Sequence, residues 1–153
     1  VQAKLLEQGA YIMPFLDMNP SQLHFSSMQK VGAAGIFKGE GVPYLWANQT
    51  WFYPDRLATE FEVVDGLRPL YPELKDFWGA SGDYLTGARL LSFLQMIQKD
   101  LTEKEIQNLW KETQLEGEFL STSVLNRKEV SVILDRTLGF FEKEISWKGN
   151  FLD

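Results

Sequence analysis

The chain has 153 residues, of which 44% are hydrophobic and 24% charged, with no cysteine, one histidine and a formal net charge of −6. That size and composition fit one globular domain with a real core, and the missing cysteines exclude a disulfide scaffold, a thiol nucleophile and a thiolate metal site. The acidic balance argues against nucleic acid or an anionic membrane as partner, and no apolar run approaches the roughly 18 residues that span a bilayer.

Residues 1–9, VQAKLLEQG, read as the end of a helix, with Leu5 and Leu6 as its apolar stripe and Gly9 as its C-terminal cap. The chain opens mid-pattern at Val1 with no basic or apolar leader, like a piece cut from something longer. Residues 1–20 are therefore expected to be the tail of an upstream domain and a linker, and residues 21–153 a single helical domain. Asn19-Pro20-Ser21 signals a turn into a helix, with Ser21 as its N-cap and Leu23, Met28 and Val31 on its buried side. Gly32-Ala33-Ala34-Gly35 follows that helix instead of opening one, so it reads as a tight helix terminus and not as a phosphate loop. The lone His24, flanked by Leu23 and Phe25, reads as a partly buried packing residue.

From Ile36 to Pro54 the pattern is loop with short strands, and it concentrates aromatic residues: Tyr44, Trp46, Trp51, Phe52 and Tyr53. Three readings of this segment stand side by side. It is the core of a loop-rich unit, a docking surface for another domain, or a sugar-binding platform. In the last case Trp46, Trp51 and Tyr53 stack on sugar rings, while Asn48 and Arg56 supply hydrogen bonds. Asn48-Gln49-Thr50 also has the form of a glycosylation sequon. Tyr53, Asp55 and Arg56 contain the residue types of polysaccharide β-elimination, but three neighbours in sequence do not make a site.

Leu57, Phe61, Val64 and Leu67 fit one helical face, and Arg68 to Asp83 reads as an irregular connector. Leu85 to Ile97 is a helix. Thr102 with Glu105, and Asn126 with Glu129, have the spacing of capping boxes that open two more. The carboxylate pairs Glu60/Glu62 and Glu103/Glu105 read as solvated helix faces, because residues two apart do not share a face. The stretch Tyr84 to Leu94 lines up with Val124 to Leu134, and a looser copy, shifted by one residue, starts at Arg56. Such repetition predicts packed helix–loop–helix units. The tail Phe140 to Asp153 is mixed in character. The expected fold class is mainly α, with an aromatic-rich segment of loop and short strand.

Two resemblances bear on this pattern. Leu5, Gln8, Gly9 and Ile12 in VQAKLLEQGAYI approximate the end of the flavin domain in FAD-dependent oxidoreductases related to glucose-inhibited-division and succinate-dehydrogenase-type flavoproteins. The following stretch, Pro14 to Asp55, resembles the C-terminal extension of the Bacteroides members, some of which are labelled xanthan lyases. The resemblance implies an accessory C-terminal domain that packs on, or shapes the entrance of, an upstream catalytic domain. FAD then belongs to the parent protein and no cofactor to this chain, polysaccharide is the implied partner, and the parent is expected to be periplasmic or secreted. A self-contained lyase is the remaining alternative. Separately, Gly35-Ile36-Phe37-Lys38-Gly39, Phe52-Tyr53-Pro54, Arg127 and Glu129 are similar to S-layer homology repeats, although the middle copy lacks the matching Arg and Glu.

Overall fold

The computed structural model describes residues 15–37, 39–44 and 47–139. The helix expected at residues 1–9 and the tail from Phe140 lie outside the described residues. So do Trp46 and the side chain of Asn48.

Three short segments of one kind organise the fold: Leu57-Ala58-Thr59, Tyr84-Leu85-Thr86 and Val124-Leu125-Asn126. In each, a polar residue in extended conformation precedes a helix, and its side-chain oxygen accepts the N–H three residues on. Thr59 does this for Glu62, Thr86 for Arg89 and Asn126 for Glu129. At Thr59 and Asn126 the glutamate also reaches back to the cap N–H, completing a capping box. The helices that follow are α2 (Glu60–Leu67), α3 (Gly87–Ile97) and α5 (Arg127–Leu138). Helix α4 (Glu103–Glu112), with its own Thr102/Glu105 capping box, is inserted between α3 and α5.

Backbone hydrogen bonds close these segments into a ring. The N–H of Ala58 donates to the Leu125 carbonyl (2.9 Å), that of Leu125 to Leu85 (2.9 Å) and that of Leu85 to Ala58 (2.8 Å). The next two N–H groups of each helix donate to the loop of the next unit. Glu60 and Phe61 reach Asp83 and Ser81, Gly87 and Ala88 reach Ser123 and Ser121, and Arg127 and Lys128 reach Arg56 and Pro54. A helix start leaves several N–H groups without an internal partner. Here each unit satisfies its neighbour's, and the order runs round a pseudo-threefold axis. Leu57, Tyr84 and Val124 occupy equivalent positions, in the register given by the one-residue shift of the repeat. Ala58, Leu85 and Leu125 are buried at the axis, and the apolar faces of the three helices complete the core with Val63, Val64, Leu67, Leu90, Phe93, Leu94, Val130, Ile133 and Leu134.

The side chains at the junctions differ. Glu60 at the start of α2 accepts hydrogen bonds from Arg89 of α3 (2.7 and 3.3 Å) and from Ser81. Arg127 at the start of α5 bonds the Glu62 carboxylate and the Phe52 carbonyl. Glu60 and Glu62 are thus not the solvated pair that their spacing predicts. A residue at the first helical position faces the next unit in the ring, and one at the third faces the previous unit. At the remaining junction stands Gly87, where a Cβ would come within 2.5 Å of the Leu120 carbonyl oxygen and 2.9 Å of the Phe119 ring.

Two further departures from the sequence expectation have local causes. The first described helix, α1 (Phe25–Ala33), starts four residues after Ser21, because Asn19 Oδ1 accepts both the N–H and the hydroxyl of Ser21 in a turn of its own. Phe61 is 56% exposed, since Glu60, Val63, Val64 and Leu67 form the inner face of α2. Past α1, Gly35 adopts φ +80°, a left-handed turn that brings Ile36 and Phe37 into the core. The antiparallel hairpin β1 (Glu40–Tyr44) and β2 (Ala47–Trp51) follows, with Val42 opposite Gln49. Phe15 bridges to Thr50 and packs, with Phe37, around Phe52. Helix α1 is fastened to α5, where buried Asp135 accepts from Ser27 Oγ (2.7 Å) and Lys30 Nζ (3.2 Å). Pro72–Leu74 forms a short 3-10 helix within the connector.

Candidate functional site

The end of β2 divides the aromatic segment between core and surface. Successive strand residues point to opposite faces. Phe52 turns inward and is fully buried, while Trp51 and Tyr53 stay half-buried on the other side. The chain is held in this course by Asp17. Its two carboxylate oxygens accept the N–H groups of Phe52 (2.7 Å) and Tyr53 (2.6 Å). Tyr53 adopts φ +59°, a left-handed conformation that a non-glycine residue keeps only when its surroundings impose it. As a result the Trp51 and Tyr53 rings lie nearly parallel, with centroids 6.3 Å apart and planes inclined by 23°.

These rings line a cleft of about 620 Å³. Arg56 stands on its Tyr53 side, with the guanidinium carbon 4.0 Å from the ring centroid and an ion pair to Glu40. The hydrogen bond that Arg56 donates to Glu40 pushes the Arg56 pKa up. Lys128, from the first turn of α5, pairs with Asp55 at 3.5 Å. His24, Gln114 and Glu116 also line the cleft. Burial, and then the nearby charges of Lys128 and Arg136, hold the His24 imidazole below its ordinary pKa of 6.5. Gln114 also has φ +59°, so the two non-glycine residues with positive φ among the described residues both border this cleft.

The cleft therefore joins three of the residues that the sequence points to: Trp51, Tyr53 and Arg56. It also joins Tyr53, Asp55 and Arg56, the types named for β-elimination, although Arg56 is engaged with Glu40 and Asp55 with Lys128. Trp46 lies outside the described residues, and Asn48 is placed only by its backbone, opposite Pro43 in the hairpin. Arg127 and Glu129, the repeat residues, have other work. Arg127 is buried between Glu62, the Phe52 carbonyl and the Phe37 ring. Glu129 closes the capping box of α5.

Sequence reasoning missed Asp17, Gln114 and Lys128. No local signal marks them, because each reaches the cleft from a separate segment. His24 was legible as a half-buried residue but not as part of a cleft wall. No group of three or more His, Asp or Glu side chains among the described residues is arranged to hold a metal ion. Gly32 to Gly35 close α1 and do not form the strand-to-helix turn that cradles a dinucleotide phosphate. No described helix is long and apolar enough to cross a membrane. No protein-family model, no curated protein and no solved structure matches the chain.

Proposed function

We propose that this chain binds carbohydrate in the Trp51–Tyr53 cleft. The observation that carries the reading is the pair of nearly parallel, half-exposed rings beside a row of polar side chains. Sugar rings present C–H faces that stack on aromatics and hydroxyls that need donors and acceptors. Arg56 and Lys128 are donors at the cleft, and Asp55 and Glu116 are acceptors. Its volume lies within the usual ligand range of roughly 300–1,000 Å³. The left-handed Tyr53 and Gln114 give further support, since strained backbone gathers at ligand sites.

The test is a titration of the intrinsic tryptophan fluorescence with oligosaccharides, xanthan-derived fragments included, alongside acrylamide quenching. The reading expects a saturable change that Trp51→Ala and Tyr53→Ala abolish while the melting transition stays cooperative. No response to any sugar overturns it.

A second reading, the accessory domain of an FAD-dependent oxidoreductase-like parent, draws on a different surface. Tyr84 and Val124, at equivalent positions around the threefold axis, are 57% and 44% exposed, and Leu120 nearby is 50% exposed. A neighbouring domain seated there would cover them. Hydrogen exchange of the 84–86 and 120–125 segments, slowed in the parent relative to this chain alone, is the expected result. Equal exchange in both removes this reading. We also read the three units as S-layer-homology-like. The closed ring of capped helices supports this, and the unmatched middle copy, with Gly87 and Arg89, weighs against it.

A further inference from the structure

The aromatic cleft is not isolated. It shares Leu23, His24 and Gln114 with a second cleft of about 380 Å³, which in turn shares Glu112, Thr113 and Arg136 with a third of about 400 Å³. The three form one run from the end of β2, past the start of α1, to the surface between α4 and α5. Aromatic rings line only its first section. The remainder presents polar and charged groups, among them Arg136, Asn108 and Glu112. Arg136 forms no ion pair with a described residue. His24 stands at the start of α1, where its side chain makes no cap hydrogen bond, and it lines both the first and the second cleft.

The geometry points to a linear oligosaccharide as the ligand, with one sugar stacked at Trp51 and Tyr53 and successive sugars hydrogen-bonded along the second and third clefts. This rests on the carbohydrate reading above and extends it from a single sugar to a chain. A compact ligand would fill the first cleft and leave the other two unused. An extended peptide is the competing occupant. One recurring way to bind such a peptide is addition to a free strand edge. Here β2 is flanked at Thr50, where Leu16 N–H donates to the Thr50 carbonyl at 2.9 Å, and the second and third clefts are walled by helices. A chain of linked sugars also gains affinity from each tethered contact without paying again for association.

The experiment is calorimetric titration of the full chain with homologous oligosaccharide series from one sugar to about eight, covering neutral, N-acetylated and uronic-acid-containing types. Affinity should rise roughly tenfold or more between the shortest and longest members of the series that binds. Arg136→Ala and Asn108→Ala, both at exposed positions, should each weaken the long members about three- to fivefold and leave the short ones unchanged, whereas Trp51→Ala should weaken all of them. Affinity that is flat with length, or that falls equally for short and long members in Arg136→Ala, overturns the extended groove and leaves the sugar cleft standing. No binding at any length overturns both, and so does capture of an extended peptide from a defined library in place of sugar.

Discussion

The junctions between the three units share one backbone plan and solve the side-chain problem in two ways. Between the first and second units the ion pair runs from Glu60 to Arg89, and between the third and first it runs from Arg127 to Glu62, with the charges exchanged. Between the second and third units the equivalent positions hold Gly87 and Glu129, and no ion pair joins them. The backbone there comes so close that a Cβ on Gly87 would strike Leu120. The ring of hydrogen bonds thus does not depend on any one charge arrangement, but what replaces a pair must be small. Electrostatics follow the same division. Hydrogen bonding from Arg89 holds the Glu60 carboxyl below its ordinary pKa of 4.5. Burial pushes that of Glu129 above it, against its bonds to Asn126 and the nearby Lys128.

Substitutions at these positions break the comparison in graded steps. The largest effect is expected at Arg127→Met, which leaves Glu62 with its Thr59 cap bonds but without its ion-pair partner, and the Phe52 carbonyl without its donor. Loss of a buried charge partner costs about 3 kcal/mol or more, discounted slightly here because Glu62 keeps some solvent contact. Urea denaturation reads the change directly, and a loss below about 1 kcal/mol would mean that the pair contributes little. Next comes Gly87→Ala, where overpacking against the Leu120 carbonyl and the Phe119 ring should cost about 2 kcal/mol. An unchanged midpoint would show that the junction yields easily.

Glu60→Gln should cost about 1 kcal/mol at neutral pH, since Arg89 is partly exposed and solvent screens the pair. The sign of its pH dependence follows from the lowered pKa. The ionised carboxyl stabilises the fold above its ordinary pKa of 4.5, and that contribution is lost as pH falls through the folded value. The deficit of Glu60→Gln relative to the parent should therefore shrink on acidification. Glu129→Gln is the smallest change and the opposite case. Its pKa is raised, so the protonated form stabilises the fold and ionisation withdraws that stability as pH rises through the folded value. The glutamine keeps an oxygen for the Asn126 N–H and carries no charge, so stability should be unchanged or slightly higher at neutral pH, with the gain disappearing in acid. Denaturation midpoints of both variants across the acid range would show the two trends running in opposite directions. Parallel trends would contradict the division between junctions.

Much of this is legible in the sequence. The capping boxes at Thr102/Glu105 and Asn126/Glu129 and the apolar spacing of α3 and α5 are local signals, because a cap and a helical face depend on residues three or four apart. The 84–94 and 124–134 copies were visible for the same reason. The first copy is looser because Ala58 stands where Leu85 and Leu125 stand, and Glu60 where Gly87 and Arg127 stand. Of the apolar face expected for α2, Val64 and Leu67 are buried and Phe61 is not, although it looks like a core residue by type. Its position next to the ring points it outward.

The sequence by itself determined the helical class of the second half, the capped helix starts and the concentration of aromatics before Pro54. Each follows from short-range geometry and composition. The tertiary structure alone decided which aromatics are core and which line a surface. Phe52 goes in, and Trp51 and Tyr53 stay out, because Asp17, more than thirty positions away, takes the two N–H groups that set the turn. It also decided which charges meet. Glu60 and Arg89 are 29 positions apart and Glu62 and Arg127 are 65 apart, and only closure of the backbone ring brings each pair within bonding distance.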